Sequence, residues 1–229
     1  MIPTTLRQEA YKLIRAKFLS GELKAGTALS ENKLAKEFDM SRTPIREAIR
    51  QMEMEGIIDY APRFGAVVRT PDAKELEDMY GVREALEIYA AIEACDSISP
   101  KGIRQLNEHF DSMQQIIKRF QGVDKDFIDG EELDEFLQAD LNFHQVIVSA
   151  ADNKYLSKII SEQRVLIRVF TATFWRYDEK KLQEANNFHQ RLLDAISNRD
   201  ADAARIATSE AMKVAKENAL KLLKSKSDN

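Results

Sequence analysis

Cysteine, glycine and proline are all scarce in this chain of 229 residues, with one, eight and five copies respectively. The single cysteine, Cys95, has no partner within the chain, so no internal disulfide braces the fold. That fits a reducing, cytoplasmic setting. So few turn-forming residues exclude an all-β fold built from many hairpins and favour long helices. No apolar run approaches the roughly 18 residues of a membrane-spanning helix. The opening Met1-Ile2-Pro3-Thr4-Thr5-Leu6-Arg7 lacks the basic-then-apolar layout of a secretory signal. What remains, 44% hydrophobic and 31% charged, is an ordinary globular composition. The length exceeds a typical single domain, and two are expected.

The net charge of −4 argues against a nucleic-acid partner until it is divided along the chain. Residues 1–71 carry 12 Lys and Arg against 9 Asp and Glu, whereas the remainder carries 22 against 29. A basic module joined to an acidic one suits a protein that meets phosphates with one end only.

The first segment has a definite rhythm. Leu6, Ala10, Leu13, Ile14, Lys17 and Phe18 share one face of a helix over about 5–20, which Gly21 ends. Gly21 to Gly26 reads as a connecting turn. Ser30 is a good N-cap for a short helix over 31–38. After a tight turn at 39–42, a further helix starts near Thr43, with Pro44 in its first turn and Ile45, Ala48, Ile49 and Met52 as its buried stripe. Two short helices joined by a tight turn are a helix-turn-helix. Two β-prone runs follow, 57–60 and 66–69, separated by Ala61-Pro62-Arg63-Phe64-Gly65. They predict a hairpin wing whose tip presents Arg63 and a permissive Gly65.

Ser41, Arg42, Thr43, Arg46 and Arg50 lie off the buried stripe of the second short helix. Arginine pairs two donors with guanine O6 and N7, or clamps a phosphate. Hydroxyls and backbone N–H groups at a helix start favour phosphate oxygens. A merely solvated basic face is the competing reading.

The run Ser41-Arg42-Thr43-Pro44-Ile45-Arg46-Glu47-Ala48-Ile49, then Glu55-Gly56-Ile57-Ile58, Pro62 and Gly65, resembles the GntR superfamily of transcriptional regulators across nearly all of residues 5–70. The resemblance implies DNA contacts from Arg42 and Arg46, with Gly65 at the minor groove. Where some members place an arginine on the preceding helix, this chain has Asn32 and Lys33.

From 72 onward no strand is expected. Helices over about 73–97, 100–121, 129–151, 153–177, 179–198 and 200–224, with short connections, predict an antiparallel all-α bundle able to enclose a ligand. The fold class is therefore mainly α, a winged helix-turn-helix over 1–71 and a helical bundle over 72–229. On the third of these helices Leu133, Leu137, Asp140, His144 and Ile147 share a face; on the fifth, Ala185, His189, Leu192 and Ile196 do. A carboxylate turned inward needs compensation. Two imidazoles and a carboxylate suit zinc, nickel, iron or manganese; an Asp140–His144 hydrogen bond in a polar, metal-free cavity is the alternative.

Met79 to Glu87, Asp140-Leu141-Asn142-Phe143-His144, Ala150 to Asn153, and His189 to Ile196 resemble the FCD domain of the FadR-like branch. That resemblance implies a bundle holding a small organic-acid effector, in some members beside a metal bound by one aspartate and three histidines. Asp140, His144 and His189 match three of the four. The fourth place, about 22 residues past His189, is Ala211. His109 reads as a boundary or surface residue.

Arg83 matches a recurrent arginine of the branch and is a candidate for an effector carboxylate, or for an acid on a neighbouring helix or subunit. Arg164 and Arg168 either reach the cavity or face solvent. Asn153 either binds ligand or caps a helix. Phe170, Phe174, Trp175 and Cys95 read as core or interface. Together these features imply a homodimeric repressor on a pseudo-palindromic duplex, responsive to a small carboxylate. A metal-dependent helical enzyme with an accessory winged helix is the rival, although no nucleophile–base pair or phosphate-binding loop is found. A winged helix used only for protein contacts is a third reading.

Overall fold

The computed structural model describes residues 5–61, 65–122, 125–171 and 177–227. Among them are nine helices and one two-stranded sheet, grouped in two compact units. The first unit holds the described residues through Asp72 together with the end of the seventh helix, from Arg164 on; the second holds the rest. The sequence led to a division at 71/72, with everything beyond it in one bundle.

In the first unit α1 (Leu6–Leu19) opens with a capping box, in which Thr5 and Gln8 satisfy each other's backbone N–H. Ser30 caps α2 (Glu31–Glu37) by accepting from Lys33 N at 3.3 Å. The turn to α3 (Arg42–Met54) passes through Asp39 at φ 51°, a left-handed conformation that aspartate tolerates better than most residues. Ile45, Ala48, Ile49 and Met52 are fully buried against α1 and α2, as their spacing predicts. Strands β1 (Ile58–Ala61) and β2 (Gly65–Val68) pair antiparallel, Ile58 opposite Val68 and Ala61 opposite Gly65.

Residues 26–29 add something that the turn reading did not contain. They run beside β2, with Gly26 N donating to Val68 O, Val68 N to Thr27 O and Leu29 N to Ala66 O at 2.8–2.9 Å. The edge of the hairpin is thereby covered.

The second unit is a bundle of α4 (Ala73–Ser97), α5 (Pro100–Gln121), α6 (Gly130–Ala150), the start of α7 (Lys154–Thr171), α8 (Glu179–Ser197) and α9 (Ala201–Ser227). Leu106, Phe110, Met113, Phe136, Phe143, Leu182 and Ile196 fill its core, and α4 packs on α9, α6 and α8. Cys95 is buried within this core, which pushes its thiol pKa up. Ser99, Asn153 and Asp178 cap the helices that follow them, so Asn153 serves as a cap: its Oδ1 accepts from Tyr155 N and Leu156 N, both at 3.1 Å.

Arg199 was not singled out from sequence and proves to be a joint. It sits at φ 59° just past the end of α8, where glycine is the usual choice. Its guanidinium donates to Cys95 O, Asp96 O and Ile98 O at 2.7–3.1 Å, satisfying carbonyls that the end of α4 leaves without helical partners. Among the described residues no helix is long and apolar enough to cross a membrane.

Candidate functional site: an arginine pair and an acid–histidine cluster

The first candidate lies at the start of α3. Ser41 is the N-cap, exposed, and its hydroxyl makes no capping bond, so it is available to an external group. Arg42, Thr43, Arg46 and Arg50 are likewise exposed, while Pro44 and Ile45 between them turn inward. Arg42 and Arg46 are one turn apart on the same face. Both meet Glu31, at the first position of α2. Arg42 NH2 donates to Glu31 Oε2 at 3.1 Å; Arg46 donates from Nε at 3.1 and 3.2 Å and from NH2 at 3.0 Å. These bonds, with Arg46 the larger contributor, hold the Glu31 carboxyl below its ordinary value. The same partner raises Arg46, which stays cationic at any relevant pH.

Gly65 opens β2 at φ 74°, exposed, and a side chain built there would meet no atom within 4 Å. The conformation, not crowding, calls for glycine at this point. Arg63 lies outside the described residues. Asn32 and Lys33 are exposed on α2.

The second candidate lies in the helical bundle. Asp140 and His144, one turn apart on α6, meet His189 of α8. His189 Nε2 stands 3.0 Å from Asp140 Oδ1 and 3.3 Å from His144 Nε2, and His144 Nε2 is 3.9 Å from Asp140 Oδ1. His189 is buried; the other two are half-buried. Phe143 holds both imidazoles by edge-on contacts, with ring centroids 5.6 Å from His144 and 5.0 Å from His189.

Three lone-pair-bearing atoms thus converge on one point. Either an imidazole N–H or a cation can sit between such atoms. Three ligands held about 2.0–2.2 Å from one metal ion lie roughly 3–3.6 Å apart; the separations of 3.0 and 3.3 Å fall in that span and the third, 3.9 Å, lies just beyond it. The donor set therefore fits a divalent transition metal.

Two further facts bear on that fit. His189 Nδ1 is buried and has no hydrogen-bond partner among the described residues, so packing against Phe143, not a polar second partner, orients the ring. Ala211 is half-buried on α9 and offers only a methyl group. One turn before it, Thr208 is buried with its hydroxyl unpartnered among the described residues.

The remaining sequence candidates are dispersed. Arg83 Nε pairs with the buried Glu87 one turn on in the same helix, α4, at 3.3 Å, and not with an acid on a neighbouring helix. Arg164 is half-buried on the part of α7 that groups with the first unit. The side chain of Arg168, and residues Phe174 and Trp175, lie outside what is described; Phe170 is buried. His109 is half-buried, as a boundary residue should be. Sequence reasoning missed Glu31 as a site residue. Its partners stand 11 and 15 positions away on another helix, a spacing no helical period marks.

Comparison with known proteins finds a family for each part of the chain. The pattern described as "Bacterial regulatory proteins, gntR family" matches residues 6–68, and that of the FCD domain matches residues 78–213. The chain is 31% identical to the gluconate operon transcriptional repressor of Bacillus licheniformis over 82% of its own length and 74% of that protein. It is 25% identical to the probable D-xylose utilization operon transcriptional repressor of Paenarthrobacter nicotinovorans, over 89% and 84% respectively. Among solved structures, E. coli McbR/YncC shares the fold with a TM-score of 0.80 at 20% identity, covering 96% of this chain and 99% of that one. The family and the two repressors named above are transcriptional regulators, not enzymes, which removes the metalloenzyme rival. With both patterns present in order, the chain belongs to the GntR family of bacterial, DNA-binding transcriptional regulators, in the branch that carries an FCD domain.

Proposed function

We propose that this regulator is a repressor that binds a pseudo-palindromic operator as a homodimer and answers to a small organic acid. Ser41, Arg42, Thr43, Arg46 and Arg50 read and grip the major groove, and Arg63 and Gly65 bring the wing to the backbone or minor groove. One observation carries the DNA half. Two arginines stand exposed, side by side, at the beginning of α3, while every apolar residue of that helix's inner stripe is buried.

In the helical unit, Asp140, His144 and His189 would hold a divalent metal. With only three protein ligands, the ion would keep open positions and supply a Lewis-acidic anchor for a carboxylate. The name of one relative, which mentions a gluconate operon, supports a sugar acid or hydroxy acid as the effector class. Such an effector controls DNA binding to the extent that it prefers one arrangement of the dimer over another.

The test is native mass spectrometry with elemental analysis of the purified full-length protein, followed by binding of a selected duplex with and without sugar acids. A dimer containing one metal per chain, released from DNA by an acid, is expected. A metal content unchanged in His189→Ala would overturn the ligand assignment. A monomer that binds DNA at full affinity would overturn the dimer.

A further inference from the structure

We infer that Glu31 is a specificity-determining residue of this regulator: a carboxylate that aims Arg42 and Arg46 at base edges and itself touches no DNA. The inference rests on the reading of those arginines as the DNA-contacting pair.

The geometry is particular. Arg46 presents Nε and NH2 to Glu31, the side-on edge of its guanidinium. Its end-on edge, NH1 with the second N–H of NH2, makes no bond to any described residue and is the edge that pairs with guanine O6 and N7. Arg42 spends only one N–H of NH2 on the same carboxylate. Both arginines can therefore keep Glu31 while each engages a base.

Energetic logic favours this over a structural role for the pair. Arg42 and Arg46, like charges one turn apart on a helix, repel each other and have long, mobile side chains. A single anion between them offsets the repulsion and fixes both side chains before DNA arrives. Preorganisation of this kind is worth most where two donors must meet a base edge in one plane. A phosphate contact, which accepts many approach angles, gains little from it. Glu31 is suited to stay in place, because its side chain is only 21% exposed against 57% for Arg42 and 45% for Arg46. The carboxylate also stands in the first turn of α2, where the helix dipole favours a negative charge.

In this role Glu31 governs sequence discrimination and not gross affinity. Removing Glu31 should blur the reading of guanines while leaving attraction to phosphates intact or slightly greater, since a negative charge has left the DNA-facing surface.

The experiment selects binding sites from a randomised duplex pool with four full-length proteins: wild type, Glu31→Gln, Glu31→Ala and Arg46→Ala. Affinities for the wild-type consensus and for a scrambled duplex are then measured at several salt concentrations, with a thermal melt of each protein. Both Glu31 variants should lose about tenfold or more in the ratio of consensus to scrambled affinity, the discrimination that one well-placed arginine–guanine pair supplies. Their salt slopes should match wild type.

An equal loss on both duplexes with a lowered melting temperature would mean that Glu31 merely supports α2, and would overturn the inference. So would a uniform gain on both duplexes with an unchanged consensus, the signature of simple charge repulsion. If Arg46→Ala loses discrimination and the Glu31 variants do not, the role of Glu31 falls while the arginine reading stands. If Arg46→Ala changes nothing, both fall.

Discussion

Two clusters of polar side chains are this protein's candidate sites, and they are built in opposite ways. At the start of α3, two cations surround one anion: Glu31 accepts from both Arg42 and Arg46, and the group is complete within the chain. In the bundle, a carboxylate and two imidazoles turn their lone pairs toward one another. An imidazole N–H donating to the carboxylate, or a bound metal ion, could join that group. The first can be exposed because it is satisfied, yet it retains free donors for an outside partner. The second is half-buried, with Phe143 packed edge-on against both imidazoles. On the proposed reading the exposed cluster reads DNA and the half-buried one binds a metal or effector.

Disturbing the two clusters should have different consequences, and the largest should come from the packing beneath the second. Phe143 is fully buried and touches both imidazoles, so Phe143→Ala should cost about 3–5 kcal/mol of unfolding free energy in denaturant titration. No residue at the arginine cluster should approach that figure, because the side chains there are exposed. A destabilisation below about 1 kcal/mol would show that Phe143 does not organise the cluster.

Metal should act on the second cluster alone. At a free zinc concentration of about a hundred times the dissociation constant, the wild type should gain about 2.7 kcal/mol of stability. His189→Ala should gain little, and Arg46→Ala should gain as much as wild type. Equal gains for all three in thermal or denaturant unfolding would place the ion elsewhere.

DNA should act on the first. Arg42→Ala and Arg46→Ala should each weaken binding of a selected duplex by about 1–3 kcal/mol in fluorescence anisotropy, with melting temperatures near that of wild type. His189→Ala, measured without effector, should bind the duplex normally.

The joint at Arg199 gives a smaller effect with an informative sign. Arg199→Gly removes the cost of a left-handed arginine, of order 1–2 kcal/mol, but also three bonds to the carbonyls at the end of α4. Charge-assisted bonds are worth about 1.5–3 kcal/mol each, so a net loss of stability is expected by chemical denaturation. A net gain would mean that water serves those carbonyls equally well.

Acidity gives the smallest effect. Glu31's carboxyl is held below the ordinary value of 4.5 by Arg46 and Arg42. A depressed carboxyl contributes stability that is full above its unfolded value and is lost as pH falls through the lowered one. The wild type's advantage over Glu31→Gln should therefore be flat from neutrality to about pH 5 and shrink below 4.5. An advantage that grows on acidification would contradict the pairing.

Much of this was legible before any coordinates, and the reasons differ by residue. Periodicity placed the stripe of Ile45, Ala48, Ile49 and Met52 inside, and thereby the arginines outside, because a helix that buries one face must expose the other. The same rule turned Asp140 and His144 toward the interior. Neither the partnership of Glu31 with α3 nor that of Arg199 with α4 follows any local period. Each joins separate elements, and the spacing in sequence between such partners is set by loops. The strand-like course of 26–29 was hidden for a similar reason. Its pairing depends on β2, nearly 40 residues later, and the glycine-flanked segment has little β-propensity of its own.

What the amino-acid order determined by itself was the type and register of each element, since hydrophobic spacing and capping residues act over one or two helical turns. It also selected which side chains face inward. Only the tertiary structure decided which of those side chains meet: that His189 closes on Asp140 at 3.0 Å, and that one carboxylate serves two arginines. Such meetings depend on how helices pack, where a shift of an ångström makes or breaks a hydrogen bond, and no periodic pattern encodes distances that fine.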